Sequence, residues 1–322
     1  MRESSHLPSS SSSPLVPRPS PLPYIGRFAP SPTGPLHFGS LIAALGSYLQ
    51  ARHRGGKWLV RIEDLDPPRE VAGANDLILA TLERYGFEWD GEVWYQSRRH
   101  AIYLEVLDEL AHNGLSYRCG CSRKQVAEQQ RRQGLPPGVY PGTCRRQQAG
   151  PHRRHAIRLN TEGQRVGFLD AVQGAIAQDV EHEVGDFVLR RADGLFAYQL
   201  AVVVDDAAQG ITEVVRGSDL LDSTARQIAL QTLLGYPTPG YCHLPVAVNE
   251  LGQKLSKQTF APPLAQDNPL PALFLALRFL GQQPLGELLE GDVASFWRWA
   301  LANWNAAAIP RTLAQPLPPM PE

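Results

Sequence analysis

No stretch of this sequence approaches the roughly 18 consecutive apolar residues that a membrane span requires, so no bilayer crossing is expected. Cysteine is scarce. Cys119, Cys121, Cys144 and Cys242 are the four in 322 residues, too few for a disulfide framework, and reduced thiols are expected. The N-terminus lacks the continuous apolar segment of a secretory signal, because Leu7, Leu15 and Val16 stand apart in a Ser/Pro-rich background; a cytoplasmic protein fits. Residues 1–23 carry too little apolar surface to offset the cost of ordering and read as a disordered tail. A dominant charge is missing too: 31 Lys and Arg against 32 Asp and Glu leave −1, which selects no partner.

What is present is the composition of a folded protein. Hydrophobic residues make up 43% of the chain, enough for a sizeable core in one large domain or two ordinary ones. Charge is unevenly placed. From Arg98 to Arg158 there are 12 Lys or Arg against 4 Asp or Glu, a local surplus of +8 that suits either a phosphate backbone or a solvated basic face.

The chain is organised around Tyr24 to Ser47. A β-type run over Tyr24 to Ala29 meets a turn holding Pro30, Pro32, Gly34 and Pro35, and Leu36 to Gln50 shows apolar residues at helical spacing. Strand, tight loop and helix follow in that order. The loop sets Thr33, Gly34, His37 and Gly39 about a helix N-terminus, whose unpaired N–H groups and dipole favour an anion such as a phosphate. A second β-rich run, Trp58 to Ile62, leads into Glu63-Asp-Leu-Asp66, which completes a βαβ crossover with a ligand crevice at the carboxyl ends of its strands. Arg27 and Glu63 both face that crevice, and a guanidinium with a carboxylate suits an amino-acid substrate as well as it suits a surface ion pair.

Further along, residues 71–85 and 100–113 read as helices, and Ser122 to Pro137 as a polar helix capped by Ser122 that carries Arg123, Lys124, Arg131 and Arg132. Arg145, Arg146, Arg153 and Arg154 continue the basic surface into a strand at His155 to Leu159. Gly185 to Gly194 and Leu195 to Val204, joined by an Asp-Gly turn, read as a β-hairpin. Ile211 to Leu220 reads as a strand, with helices at 223–234 and within 269–307. Cys119-Gly-Cys121, followed 23 residues later by Cys144, offers three thiolates to one metal ion and lacks a fourth ligand; Tyr140, His152, His155 and Cys242 are available, and ordinary zinc chemistry favours a histidine.

Residue identity narrows these options. R-F-A-P-S-P-T-G, starting at Arg27 and followed by His37-Phe38-Gly39-Ser40, resembles the H-I-G-H region of class I aminoacyl-tRNA synthetases, most closely the glutamyl branch, with Ser40 in place of the second histidine. Lys254-Leu-Ser-Lys257-Gln258, which begins 217 residues after His37, resembles the K-M-S-K-S loop of the same class. The resemblance implies that Arg27, Phe28, Ala29, Pro30, Ser31, Glu63, Tyr198 and Arg216 bind L-glutamate, and that His37, Gly39, Ser40 and Lys257 bind ATP with Mg2+. His37, Lys254 and Lys257 are the implied catalytic residues, the lysine loop carrying ammonium groups onto ATP phosphates as charge shifts to departing pyrophosphate. The set Cys119, Cys121, Tyr140 and Cys144 matches the C-x-C … Y-x-x-x-C zinc site of a shortened glutamyl branch, which implies one structural zinc per chain with tyrosine as fourth ligand.

The implied fold is α/β: a Rossmann-like parallel-sheet catalytic domain in two halves, 24–114 and 185–260, a basic zinc-bearing insertion at 115–184, and a C-terminal helical region at 261–322. Only 64 residues follow Gln258, too few for an anticodon-binding domain of the glutamyl- or glutaminyl-tRNA synthetase kind. The shortened branch activates glutamate and passes it to queuosine in the anticodon stem-loop of tRNA(Asp), and a monomer doing this is the expectation. A truncated enzyme charging a tRNA 3′ end, a small-molecule nucleotidyltransferase and a binding protein without chemistry remain as alternatives. The presence of His37, Glu63, Arg216, Lys254 and Lys257 together argues against the last.

Overall fold

The structure is a computed structural model and describes residues 23–249, 252–255 and 262–319. The N-terminal tail through residue 22 and Lys257 of the lysine loop lie outside the described residues.

β1 (Ile25–Phe28), α1 (Phe38–His53) and β2 (Lys57–Ile62) form the expected crossover, with β1 and β2 parallel and Arg27 opposite Leu59. α2 (Ala74–Arg84) repeats the crossover to β3 (Trp94–Tyr95), which lies parallel to β2. After α3 (His100–His112) come β4 (Ser116–Cys119), α4 (Arg123–Gln133), β5 (Ala156–Leu159), β6 (Arg165–Asp170), β7 (Gly174–Asp179) and β8 (Val188–Arg190). α5 (Tyr198–Ala208), β9 (Glu213–Gly217), α6 (Leu221–Leu234), β10 (Gly240–Leu244) and β11 (Val246–Val248) build the second half. α7 (Leu270–Phe279), α8 (Val293–Asn303) and β12 (Ala314–Pro316) follow, β12 pairing in parallel with β11.

One sheet has the order β1-β2-β3 and another β7-β6-β10-β9, in which β9, β10 and β6 are parallel and β7 is antiparallel to β6. The two sheets abut where the Thr212 N–H donates to the Ile25 carbonyl (2.9 Å), so the carboxyl ends of β1, β2 and β9 open onto one crevice. A separate antiparallel sheet, β4-β5-β8, forms the base of the basic module.

Two hydrophobic cores follow this division. The first gathers Leu45, Leu49, Trp58, Phe87 and Phe296 about α1, which is buried almost all round and so shows little amphipathic bias. Trp58 stacks on Phe28 and Phe87, while Tyr48 and Trp297 meet the same rings edge-on. Each such ring contributes on the order of 2 kcal/mol through burial. The second core packs Tyr103, Leu189, Val202, Val203 and Leu230 beneath the other half of the sheet.

One sequence expectation fails. The second arm of the hairpin read at Leu195 to Val204 is helical: only Phe196 bridges back to Arg190, and Tyr198–Ala208 is α5. The run Leu200-Ala-Val-Val-Val204 is buried on every side, so it lacks a polar stripe, and a short uninterrupted apolar run reads the same for a buried helix as for a buried strand.

Candidate functional site

The crevice is a cavity of about 590 Å3 whose wall includes Arg27, Phe28 and Ala29 from the end of β1, Glu63 just beyond β2, Arg216 and Gly217 from the end of β9, and His37, Gly39 and Ser40 from the start of α1. Ser31 and Tyr198 line it as well. Pro30 acts from behind it, its carbonyl accepting the Glu63 N–H (3.0 Å) and so tying the two strand ends together.

Three cations and three carboxylates balance beneath this wall. Arg27 reaches Asp206 through Nε to Oδ1 (3.1 Å) and Nη2 to Oδ2 (3.2 Å), a bidentate geometry. Arg61, fully buried on β2, lies 2.8 Å from Asp206 Oδ1 and donates to Glu63 Oε1 at 3.3 Å. Asp205, also fully buried, accepts from Arg99 (2.6 Å), Tyr103 (2.7 Å) and Gln96 (2.9 Å). Burial pushes the Glu63 carboxyl up, with Arg61 and Arg27 opposing. The same two guanidiniums outweigh burial at Asp206 and hold its carboxyl below the usual range. Asp205 and Asp206 are site residues that the sequence reading missed. Their signal was an Asp-Asp pair ending a long apolar run, where only internal cations stabilise ionised carboxylates.

Opposite Glu63, Arg216 Nη1 donates to the Tyr198 hydroxyl (3.2 Å) and Nη2 donates to Thr224 Oγ1 (2.9 Å). Tyr198 is the first residue of α5 and Arg216 lies on β9, so two elements deliver the aromatic ring and the cation to one wall.

The loop leads into a helix N-terminus, as its sequence predicts. His37 is the N-cap of α1 in an extended conformation (φ −123, ψ 175), and its Nδ1 accepts the Ser40 N–H (3.3 Å), which assigns the ring proton to Nε2. A Cβ on Gly39 would stand 3.0 Å from His37 Cε1 and 3.2 Å from the Leu255 carbonyl, so glycine is what lets α1, the histidine and the lysine loop approach. Lys254 lines the same cavity and its Nζ lies 2.6 Å from Asp219 Oδ2.

Away from the cavity, Cys119, Cys121 and Cys144 bring their sulfur atoms within 4.8 Å of one another. The Tyr140 hydroxyl is 3.3 Å from Cys119 Sγ, 3.5 Å from Cys121 Sγ, and accepts the Cys144 N–H at 3.1 Å. His155 turns elsewhere, with Nδ1 2.6 Å from the Arg153 carbonyl, and Cys242 is buried in the first core. All four cysteines are free thiols. Burial raises the Cys121 thiol to about 11, whereas at Cys119 the contacts with Tyr140, the Cys121 backbone and Arg158 outweigh burial and lower it. Three sulfurs and a phenol oxygen converging in a largely buried knot, with the Arg158 guanidinium 3.9 Å from the Tyr140 ring centroid, fit a four-coordinate zinc ion in their donor chemistry. Gly185 (φ +70) seats that tyrosine, since a Cβ there would lie 2.6 Å from the Tyr140 nitrogen.

Between the knot and the cavity lies a second hollow of about 440 Å3. Its wall holds Arg153, Arg154, Arg190, Arg191, His152 and His155 and no carboxylate, and Arg191 lines the main cavity as well. α4 stands beside the knot with a complete capping box, Ser122 accepting the Gln125 N–H and Gln125 accepting the Ser122 N–H.

Comparison with known proteins agrees with this geometry. The family described as tRNA synthetases class I (E and Q), catalytic domain, matches residues 25–284. A glutamyl-Q tRNA(Asp) synthetase from Dechloromonas aromatica (strain RCB) is 58% identical over 290 residues, 90% of this chain and 96% of that protein. One of the same name from Ectopseudomonas mendocina (strain ymp) is 56% identical over 294 residues, 91% and 97% of the two chains. Among solved structures, a glutamate tRNA ligase from Elizabethkingia meningosepticum in complex with its amino acid shares the fold, with a TM-score of 0.75 at 24% identity over 90% of this chain and 66% of that one. Among the described residues no helix is long and apolar enough to cross a membrane. With its crossover strands, its His37 corner and its Arg27 to Glu63 wall all inside the matched span, this chain belongs to the class I tRNA synthetases of the E and Q type.

Proposed function

We propose that the chain activates L-glutamate with ATP and Mg2+ and transfers the glutamyl group to queuosine in the anticodon stem-loop of tRNA(Asp), the reaction implied by the names of its relatives. The observation that carries the reading is the single cavity lined by Arg27, Glu63, Tyr198 and Arg216 on one side and by the His37 helix start on the other. The guanidiniums take carboxylate charge, Glu63 holds the ammonium group, and Phe28, Ala29 and Ser31 shape the wall around them.

Activation follows from that placement. One glutamate carboxylate oxygen attacks the α-phosphorus of ATP, the bond to the bridging oxygen breaks, and pyrophosphate leaves with its electron pair. His37 Nε2–H, the N–H groups around Gly39 and Ser40, and the α1 dipole stabilise the phosphate oxygens. Lys254 and Lys257 follow the charge onto the departing pyrophosphate, which requires Lys254 to exchange Asp219 for phosphate. A queuosine hydroxyl then attacks the activated carbonyl, loses its proton, and displaces AMP.

Cys119, Cys121, Tyr140 and Cys144 hold zinc as a structural ion, since a closed four-ligand site leaves no position for water. The arginine hollow beside the knot takes RNA phosphates and leads the strand toward the cavity. We assign the protein to the cytoplasm as a monomer, for which a single sedimenting species of 35.5 kDa is the check.

The deciding experiment offers labelled glutamate, ATP and Mg2+ with tRNA(Asp) carrying queuosine or, in a matched preparation, guanosine at the wobble position. Label confined to the queuosine RNA is expected. Label in both preparations that disappears when the terminal ribose is destroyed by periodate would instead identify an enzyme that charges the 3′ end.

A further inference from the structure

Behind Arg216 lies a buried pair that the reaction as described does not use. His243, on β10, is wholly inaccessible to solvent, and Asp170, the last residue of β6, is 1% exposed. His243 Nδ1 lies 2.6 Å from Asp170 Oδ2. Asp170 Oδ1 also accepts the N–H groups of Val172 (3.0 Å), Gln173 (2.9 Å) and His243 itself (3.2 Å). A carboxylate held by this many donors stays ionised, and its carboxyl is lowered below the usual range although burial opposes that.

The other ring nitrogen decides the protonation state. Arg216 Nε donates to His243 Nε2 at 3.1 Å, and Thr224 Oγ1 lies 3.1 Å from the same nitrogen while accepting from Arg216 Nη2. An arginine has donors only, so Nε2 must offer its lone pair, and the proton must be on Nδ1, facing Asp170. The charged groups around the ring agree. Asp170 from β6 faces Nδ1, Arg216 from β9 faces Nε2, and Arg27 from β1 adds positive charge; Tyr241 stacks on the ring face at 6.1 Å. Burial, reinforced by Arg216 and Arg27, lowers the imidazole below its ordinary value.

We propose that His243, oriented by Asp170, is a positioning residue for substrate binding: as a neutral Nδ1–H imidazole it accepts from Arg216 Nε and aims the guanidinium's other two nitrogens at Tyr198, Thr224 and the cavity. The chain of contacts runs from the end of β6 to the cavity wall, and each member fixes the next. Without the acceptor on Nε2, Arg216 has one buried donor unsatisfied and its plane is held through Nη1 and Nη2 alone, by Tyr198, Thr224 and the Leu220 carbonyl. This rests on the reading of Arg216 as a glutamate contact, and the tests separate the two.

His243→Phe keeps a planar ring and removes the acceptor, whereas His243→Gln can return a carbonyl oxygen to the position of Nε2. In glutamate-dependent pyrophosphate exchange, the phenylalanine variant should raise the KM for glutamate about tenfold with the KM for ATP changed less than about twofold, and the glutamine variant should recover most of that loss. Equal changes in both KM values, or a glutamine variant no better than phenylalanine, would overturn the proposal while leaving glutamate activation intact. If exchange in the unmodified protein did not depend on glutamate, the functional reading would fail instead. A readout independent of activity covers that case and any variant that does not fold: nitrogen-15 spectra of histidine-labelled protein should give His243 as the neutral Nδ1–H tautomer at pH 7. An Nε2–H tautomer or an imidazolium there contradicts the arrangement.

Discussion

Asp206 accepts from two buried guanidiniums at once, and this decides where positive charge stands in the cavity. Its replacement by asparagine leaves Arg27 and Arg61 in low dielectric with one charge fewer between them. We predict a stability loss of about 3 kcal/mol in urea denaturation, with glutamate binding weakened as Arg27 swings out of register; an unchanged midpoint would show that Glu63 and Asp205 already suffice. Glu63→Gln is expected to act differently. Among the described residues its Oε1 accepts from Arg61 alone, so the fold should tolerate the amide, while the KM for glutamate in exchange should rise at least about tenfold as the ammonium loses its counter-charge. Single residues were the most legible scale of this sequence: Arg27, His37, Glu63, Tyr198 and Arg216 all reach one cavity. The residues that hold them were less legible: the Asp205-Asp206 pair ending an apolar run signals buried cations without naming them, and Asp170 and His243 declare each other only when two distant strands are laid side by side.

At the scale of elements, the β4-β5-β8 sheet and the turns above it form a unit whose keystone is Asp186. It accepts both arms of Arg145 (2.6 and 2.7 Å), the Tyr117 hydroxyl, and the backbone and hydroxyl of Thr161 (2.9 and 2.8 Å). Burial would raise this carboxyl, but these donors outweigh it and hold it below the usual range. A depressed carboxyl stabilises above its unfolded-state pKa of about 4 and loses that contribution as pH falls through the folded value. Asp186→Asn should therefore lower the urea midpoint at pH 7 and converge with the unmodified protein toward pH 2. The sulfur knot gives a second prediction. On the proposed zinc site, Cys144→Ser should cut zinc from one per chain to below about a tenth and expose amides of residues 119–144 to exchange, yet leave glutamate-dependent pyrophosphate exchange within about twofold, because an ion held by these thiols would fold the module and none of the three cysteines lines the cavity. Here the sequence was readable in part. The polar helix expected over Ser122 to Pro137 is capped by Ser122 and ends at Gln133, and the strand expected over His155 to Leu159 begins at Ala156, whereas α5 reads as a strand because burial on every face erases the period that tells helix from strand.

At the scale of the whole molecule, Arg153, Arg154 and Arg190 pair with no carboxylate among the described residues and share one hollow, whereas Arg191 beside them is paired with Asp66 and Asp193; the net charge of −1 conceals this local surplus. Alanine at Arg153, Arg154 and Arg190 together should weaken binding of the tRNA(Asp) anticodon stem-loop and reduce the slope of log affinity against log salt by about 2, as each lost phosphate contact removes roughly 0.7 to 0.9. An unchanged slope would send the RNA elsewhere. The first crossover was readable from its loop; the edge-to-edge meeting of two sheets at Thr212 and Ile25 was not, since register across 187 residues leaves no local trace. The aromatic packing around α1 has an optical consequence. All six tryptophans, at 58, 89, 94, 297, 299 and 304, fall outside residues 95–296, and Trp58, Trp297 and Trp304 sit in the first core. Tryptophan emission therefore reports on that core, its margin and Trp94, and on no residue of the basic module. If zinc holds the basic module, chelation would unravel it while the tryptophan trace stays flat, and its loss must be followed with a zinc-sensitive dye or a label placed on α4.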